Sequence, residues 1–356
     1  MRNKDILDFR FYILDWGARN LKSKIQNLKF IPILTILLST LFFMGCEKKE
    51  AMYTYRWTAM GTTAELKIVT SKDPDKAAAL AKRVVAEIES ELSAFSAESI
   101  VGRLNATAGN GEWFEFPYRT YWVFVLSEGA VNISGGAFDP TVGPLMELWG
   151  FRGKQKLDRI PTDEEIQDTL QRVGWDKVDI DIKSSQSRVR LTQEGMRLDF
   201  GAIAKGYAVD AVYSTLMDEG YTNILVNIGG DMRGNGRKWK IGIRDPKLPL
   251  GEGILGTIIL TDGLATTTSG SYERFVEIDG KRYSHIIDAR TGYLVEGVEQ
   301  VTVIAITAVD ADALSTVLFI LGREKGMELL EQWQGVEAMF VEDGTMYFTP
   351  GFRVEK

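Results

Sequence analysis

Apolar residues recur every four positions at Leu80, Val84, Ile88 and Leu92, the stripe of a helix that buries one face. Asp73 and Pro74 in front of it supply an N-cap and a first-turn proline, so the helix starts there. Upstream, GTTAELKIVT alternates apolar and polar residues as a half-buried strand does. A second helix is expected through YRTYWVFVLSEGAVNIS. A third opens at Thr162, with Glu165 at capping-box spacing. Strands follow at 177–182 and 187–192, then a helix from near Gly201. The β-branched segments NILVNIGG, WKIGIR, GTIIL, RFVEIDG and VTVIAITAV come next, punctuated by Gly, Asp and Pro. A helix over 310–321 and a closing helix and strand pair complete the chain. Runs of consecutive strands mixed with helices predict an α+β fold with mixed and antiparallel sheets.

A chain of 356 residues with 45% hydrophobic and 26% charged side chains can bury a large core. The net charge is −7, but residues 1–45 carry seven Lys/Arg against three Asp/Glu, which leaves −11 for the rest. So acidic a body has no basic stripe for phosphate backbones, and nucleic acid is not expected as a partner.

Lys22, Lys24 and Lys29 precede the apolar run FIPILTILLSTLFFMGC, which is too short and too abruptly ended for a membrane span. It reads as an export signal ending at Cys46, the only cysteine. The ending resembles a bacterial lipobox, with Phe43 and Met44 departing from its usual residues. The resemblance implies lipidation of Cys46; the bland alternative is a buried cysteine at the end of an ordinary signal anchor. A lone cysteine also excludes an internal disulfide. The expected layout is a signal peptide over 1–45 with an over-long start, a lipidated tether over 46–54, one domain over 55–351 and a tail over 352–356.

Within that domain, RLDFGAIAKGYAVDAV places Asp199, Gly201 and Lys205 at a helix start. Free N–H groups, a partial positive charge and a lysine there suit an anion, although Asp199 reads equally as an N-cap. GGAFDPTVGPLMELWGF holds an Asp-Pro turn among glycines, NIGGDMRGNG is a strand ending in a glycine loop with Asp231, and hydroxyls cluster at Thr266 to Ser269. His285 is the only histidine. Asp312 and Thr316 stand one helical turn apart, so their oxygens could meet one hard cation such as Mg²⁺ or Ca²⁺. Asp312 reads equally as a charge favoured by the helix dipole.

Five blocks in order, AMGTTAEL, GAFDPTVGPLMELWGF, LDFGAIAKGYAVD, NIGGDMRGNG with ATTTSGSYERF and YSHIIDARTG, and TAVDADALSTVLFILG, resemble the ApbE family of FAD:protein FMN transferases. The resemblance runs from about Tyr55 to Gly351. It implies FAD as substrate, Mg²⁺ on its pyrophosphate, attack by a Thr or Ser hydroxyl of an acceptor protein, and departure of AMP. Carried over, Met60 touches the flavin, and Ala137, Phe138, Asp139, Asp199 and Lys205 line the FAD site. The Ala202 carbonyl, Asp312 and Thr316 hold the metal, and His285 is the general base. Implied partners are acceptor subunits of Rnf or Na⁺-translocating quinone reductase complexes, met at a membrane-anchored, periplasm-facing lipoprotein. FAD hydrolysis to FMN and AMP is the rival activity, and a flavin-binding lipoprotein without turnover is the rival of another class. Ala289 replaces the usual proline, which predicts a looser turn beside His285. Phe95 replaces a frequent tyrosine, removing a hydroxyl from an adenine contact.

Overall fold

Alternation over 62–70 buries Ala64, Leu66 and Ile68 completely, and this strand anchors the main sheet. The computed structural model describes residues 49–152, 157, 159–183, 186–248, 252–278 and 280–355. The expected signal peptide, Cys46 and the first residues of the tether lie outside the described residues. Eight strands lie side by side in chain order: Ala51–Ala59, Thr62–Thr70, Ile224–Ile228, Asp231–Asn235, Ala265–Gly270, Gln300–Ala305, Glu337–Glu342 and Thr345–Phe348. Every neighbouring pair is antiparallel. Helices and smaller sheets are inserted between these strands, which is the α+β arrangement expected. Parallel pairing among the described residues is confined to the isolated bridge Val142–Arg197.

Helices Pro74–Leu92, Ala204–Asp218 and Ala308–Leu330 pack on one face of the sheet, around Leu66, Ile88, Val212, Val303 and Leu318. The hairpin of Trp239–Arg244 and Ile254–Leu260 covers part of the other face, around Leu225, Ile241 and Met339. No helix among the described residues is long and apolar enough to cross a membrane. Thr162 and Glu165 form the reciprocal capping box, and Asp73 accepts from the N–H groups of Asp75 and Lys76.

Several boundaries shift for physical reasons. The edge strand Ala51–Ala59 already begins within the tether expected over 46–54. The tail expected from 352 is not free, because Phe352 is buried in the second core and Glu355 exchanges backbone hydrogen bonds with Thr257. The helix expected near Gly201 begins at Ala204, after a turn. The helix expected over 310–321 starts at Ala308, and Gly322 at φ 74° breaks it from the closing helix.

The helices Ala204–Asp218 and Ala308–Leu330 cross where Gly206 meets Ala308. A side-chain carbon on Gly206 would sit 2.3 Å from the Ala308 carbonyl oxygen. This glycine therefore sets how closely Lys205 and Asp312 approach.

Candidate functional site

Helix ends are tied together before any ligand is considered. Asp210 accepts from the N–H groups of Ala308 and Val309, both at 2.9 Å, and Arg233 offsets its charge at 2.7 Å. This fixes the first turn of Ala308–Leu330 against Ala204–Asp218, and with it the height of Asp312.

Asp312 is 2% exposed and reaches across to the other helix. Its Oδ2 accepts from the Gly206 N–H at 2.9 Å, one of the first-turn donors of the helix that begins at Ala204, which has no acceptor within the helix. Lys205 Nζ lies 3.3 Å from Asp312 Oδ1 and 2.7 Å from Asp231 Oδ2. Burial alone would pull the ammonium down, but Asp231 and Asp312 hold it above the ordinary lysine range. Burial and the neighbouring Asp312 push Asp231 up, and Lys205 only partly opposes them. Ser269 Oγ joins Ser315 Oγ at 2.8 Å and Thr316 Oγ1 at 3.4 Å, so the expected hydroxyl cluster does meet Thr316.

The loops bring the remaining candidates to the same cleft. Asp199 forms a buried ion pair with Arg152, whose Nη2 stands 2.5 Å from Oδ2. Its other oxygen accepts from the Gly201 N–H at 2.9 Å. Arg152 also stacks on Phe95 at 4.4 Å, an aromatic left 68% exposed. Asp139 is turned inward: Oδ1 accepts from the Thr141 N–H and hydroxyl, and Oδ2 from the Trp175 N–H. Burial still holds its carboxyl above the usual range. Its carboxylate therefore shapes the loop, while Phe138 and Ala137 beside it are buried.

His285 follows the hairpin of Phe275–Ile278 and Lys281–Ser284. Its Nδ1 lies 3.2 Å from the Arg274 carbonyl, which can only accept, so Nδ1 carries the proton and Nε2 is the basic nitrogen. Burial, helped by the Arg274 charge, lowers the imidazole to about 4. The residue is half-buried, and Phe151 meets its ring edge-on at 6.2 Å.

Ala289 does not loosen this loop. Its N–H donates to the Ala137 carbonyl at 3.0 Å, a bond that proline cannot make. Met60 sits at φ 50° and Gly61 at φ 71° in the two-residue turn between the first two strands. Positive φ at both positions is what such a turn requires, and it strains a methionine. An added side-chain carbon at Gly61 would meet the Arg274 guanidinium at 3.8 Å, so this turn lies next to the side chain of the residue whose carbonyl orients His285.

The ApbE family model matches residues 60–340. The chain belongs to the ApbE family. An FAD:protein FMN transferase of Klebsiella pneumoniae is 34% identical over 82% of this chain and 89% of its own. The solved ApbE protein of Thermotoga maritima shares 32% identity at a TM-score of 0.76, covering 84% of this chain and 97% of that one. The apo flavinyl transferase ApbE of Pseudomonas stutzeri gives 32% and 0.73, covering 85% and 95%.

In this ApbE chain the structure brings Lys205 against Asp312, with Thr316 one turn further along the same helix, and Lys205 and Asp199 both act on the His285 charge. Sequence reasoning singled out neither Arg152 nor Asp231 as a site residue. The signals were the arginine directly after the WGF block and the aspartate directly after the paired glycines. Removing one partner of a buried ion pair strands the other charge. Arg152→Met is therefore expected to lower the unfolding free energy by about 3–5 kcal/mol in urea titration. A loss within about 0.5 kcal/mol would show that the Asp199 pair holds nothing together.

Proposed function

We propose that this chain transfers the FMN moiety of FAD to a Thr or Ser hydroxyl of an acceptor protein, with Mg²⁺ in support and AMP leaving. The observation that carries the reading is the convergence of Lys205, Asp312 and Thr316 on one helix mouth, with a basic imidazole at the rim.

Hard oxygens suit Mg²⁺. The Asp312 carboxylate, the Thr316 hydroxyl and the Ala202 carbonyl would hold it. Thr267 Oγ1, buried on the same face of its strand as Ser269, has no hydrogen-bond partner, a condition that costs about 1–3 kcal/mol unless an ion or its water satisfies it. This orphaned oxygen favours the metal reading, although no group of three or more His, Cys, Asp or Glu is gathered among the described residues. Bound there, Mg²⁺ would neutralise pyrophosphate charge.

The protein's own groups account for the rest. The Lys205 ammonium stays charged in its acidic cradle and offers a fixed cation to a phosphate oxygen. His285 Nε2 takes the proton of the attacking hydroxyl, with Nδ1 held by the Arg274 carbonyl. A bond forms between that hydroxyl oxygen and the FMN-side phosphorus. The bond from this phosphorus to the bridging oxygen breaks, and AMP departs with that oxygen. Met60 and the Gly135 to Phe138 loop would meet the flavin, and Asp199, held by Arg152, would line the same FAD site.

Lipidation of Cys46 would tether the domain to a membrane on the periplasmic side, where subunits of Rnf or Na⁺-translocating quinone reductase type offer acceptor hydroxyls. The test is incubation with FAD, Mg²⁺ and such a subunit. AMP with a flavin-fluorescent acceptor is expected. AMP with free FMN would assign FAD hydrolysis instead, and intact FAD would leave a binding protein.

A further inference from the structure

The Lys205 ammonium stands between two buried carboxylates, 2.7 Å from Asp231 and 3.3 Å from Asp312. Only one of the two is needed to neutralise it. The pair Asp231–Lys205 is electrically closed, and Asp312 is then left with a surplus negative charge one helical turn from Thr316. If Asp231 were absent, the ammonium would neutralise Asp312 and occupy the space in front of it.

The geometry points to a positioning role for Asp231: it draws the Lys205 ammonium away from Asp312, so that Asp312 can bind a divalent cation while the lysine stays charged in the cleft.

The fold builds this arrangement deliberately. The strand Ile224–Ile228 turns into Asp231–Asn235 through Gly229 and Gly230, at φ 65° and 103°. Asp231 is therefore the first residue after the tightest connection available, at the end of the sheet nearest the helix mouth. It is 2% exposed, and its Oδ2 holds the Lys205 ammonium at 2.7 Å, against 3.3 Å for Asp312, so Asp231 is the lysine's tighter partner. Asp312, by contrast, is fixed by the Gly206 N–H.

The inference rests on the metal reading proposed above, and binding of Mn²⁺ alone, followed by its paramagnetic signal without flavin, separates the two. Wild type should bind Mn²⁺ and Asp312→Asn should not. Asp231→Asn should bind at least about tenfold more weakly, because two buried charges a few ångströms apart interact by several kcal/mol even in a partly polar interior. The double variant Lys205→Met with Asp231→Asn should recover wild-type affinity to within about threefold, since the competing ammonium is gone. A merely structural Asp231 would give no such recovery. Equal affinity in wild type and Asp231→Asn, or a double variant as weak as the single one, would overturn the positioning role. Equal affinity in wild type and Asp312→Asn would overturn the metal reading itself, and the positioning role with it.

Discussion

Asp312→Asn is expected to lower AMP release from FAD by at least about a hundredfold, while the protein keeps its fold. The amide oxygen still accepts from the Gly206 N–H that Asp312 accepts from at 2.9 Å, so the helix crossing survives. What disappears is the only negative charge among the Ala202 carbonyl, Asp312 and Thr316. Losing one preorganised charge contact to a phosphoryl group costs about a hundredfold to a thousandfold in rate. Turnover measured at saturating FAD and Mg²⁺, beside a circular dichroism spectrum, checks this. A folded variant within about threefold of wild type would remove Asp312 from the reaction.

His285→Asn is the second large effect. Proton removal by a positioned base contributes about a hundredfold to ten-thousandfold, so transfer should slow by at least about a hundredfold with FAD affinity nearly unchanged. The structure also alters the expected pH behaviour. From an ordinary imidazole, near 6.5, the rate would fall as the solution turned mildly acidic. Burial, Arg274 and Lys205 instead depress His285 to about 4, with Asp199 and the Arg274 carbonyl pulling the other way. A depressed pKa keeps the base form populated as pH falls, and the base is lost only when pH approaches the lower value. The ratio of wild-type to His285→Asn rates should hold constant from pH 8 down to about 5 and shrink below that. A ratio that collapses with a midpoint near 6.5 would show an unburied, ordinary imidazole. A variant whose FAD affinity falls in proportion to its rate would reduce His285 to a positioning residue.

Much of this was legible from period and punctuation alone. The stripe ending at Leu92, the Thr162 capping box and the alternation over 62–70 are local signals, and the structure keeps each of them. The strand Ala51–Ala59 was not assigned from the sequence, although Tyr53, Tyr55, Trp57 and Ala59 alternate with polar residues; it forms the sheet's edge and buries only Ala59 fully. Asp312 and Thr316 were correctly placed on one helix face by their spacing. Their partners could not be, since Asp231 and Ser269 arrive from strands far along the chain and no local pattern encodes that meeting. Asp139 shows the converse: its Asp-Pro turn marked a shaped loop, and the carboxylate proves to be what shapes it. Ala289 looked like a loss of stiffness and proves to donate a hydrogen bond, which only the fold reveals.

The most direct measurement is the ratio of AMP released to flavin bound covalently on a purified acceptor subunit, read by chromatography and intact mass in a single turnover with Mg²⁺. Transfer predicts one AMP for each acceptor molecule gaining one FMN through a Thr or Ser oxygen, and neither product from Asp312→Asn. AMP accumulating with free FMN and an acceptor of unchanged mass would contradict it.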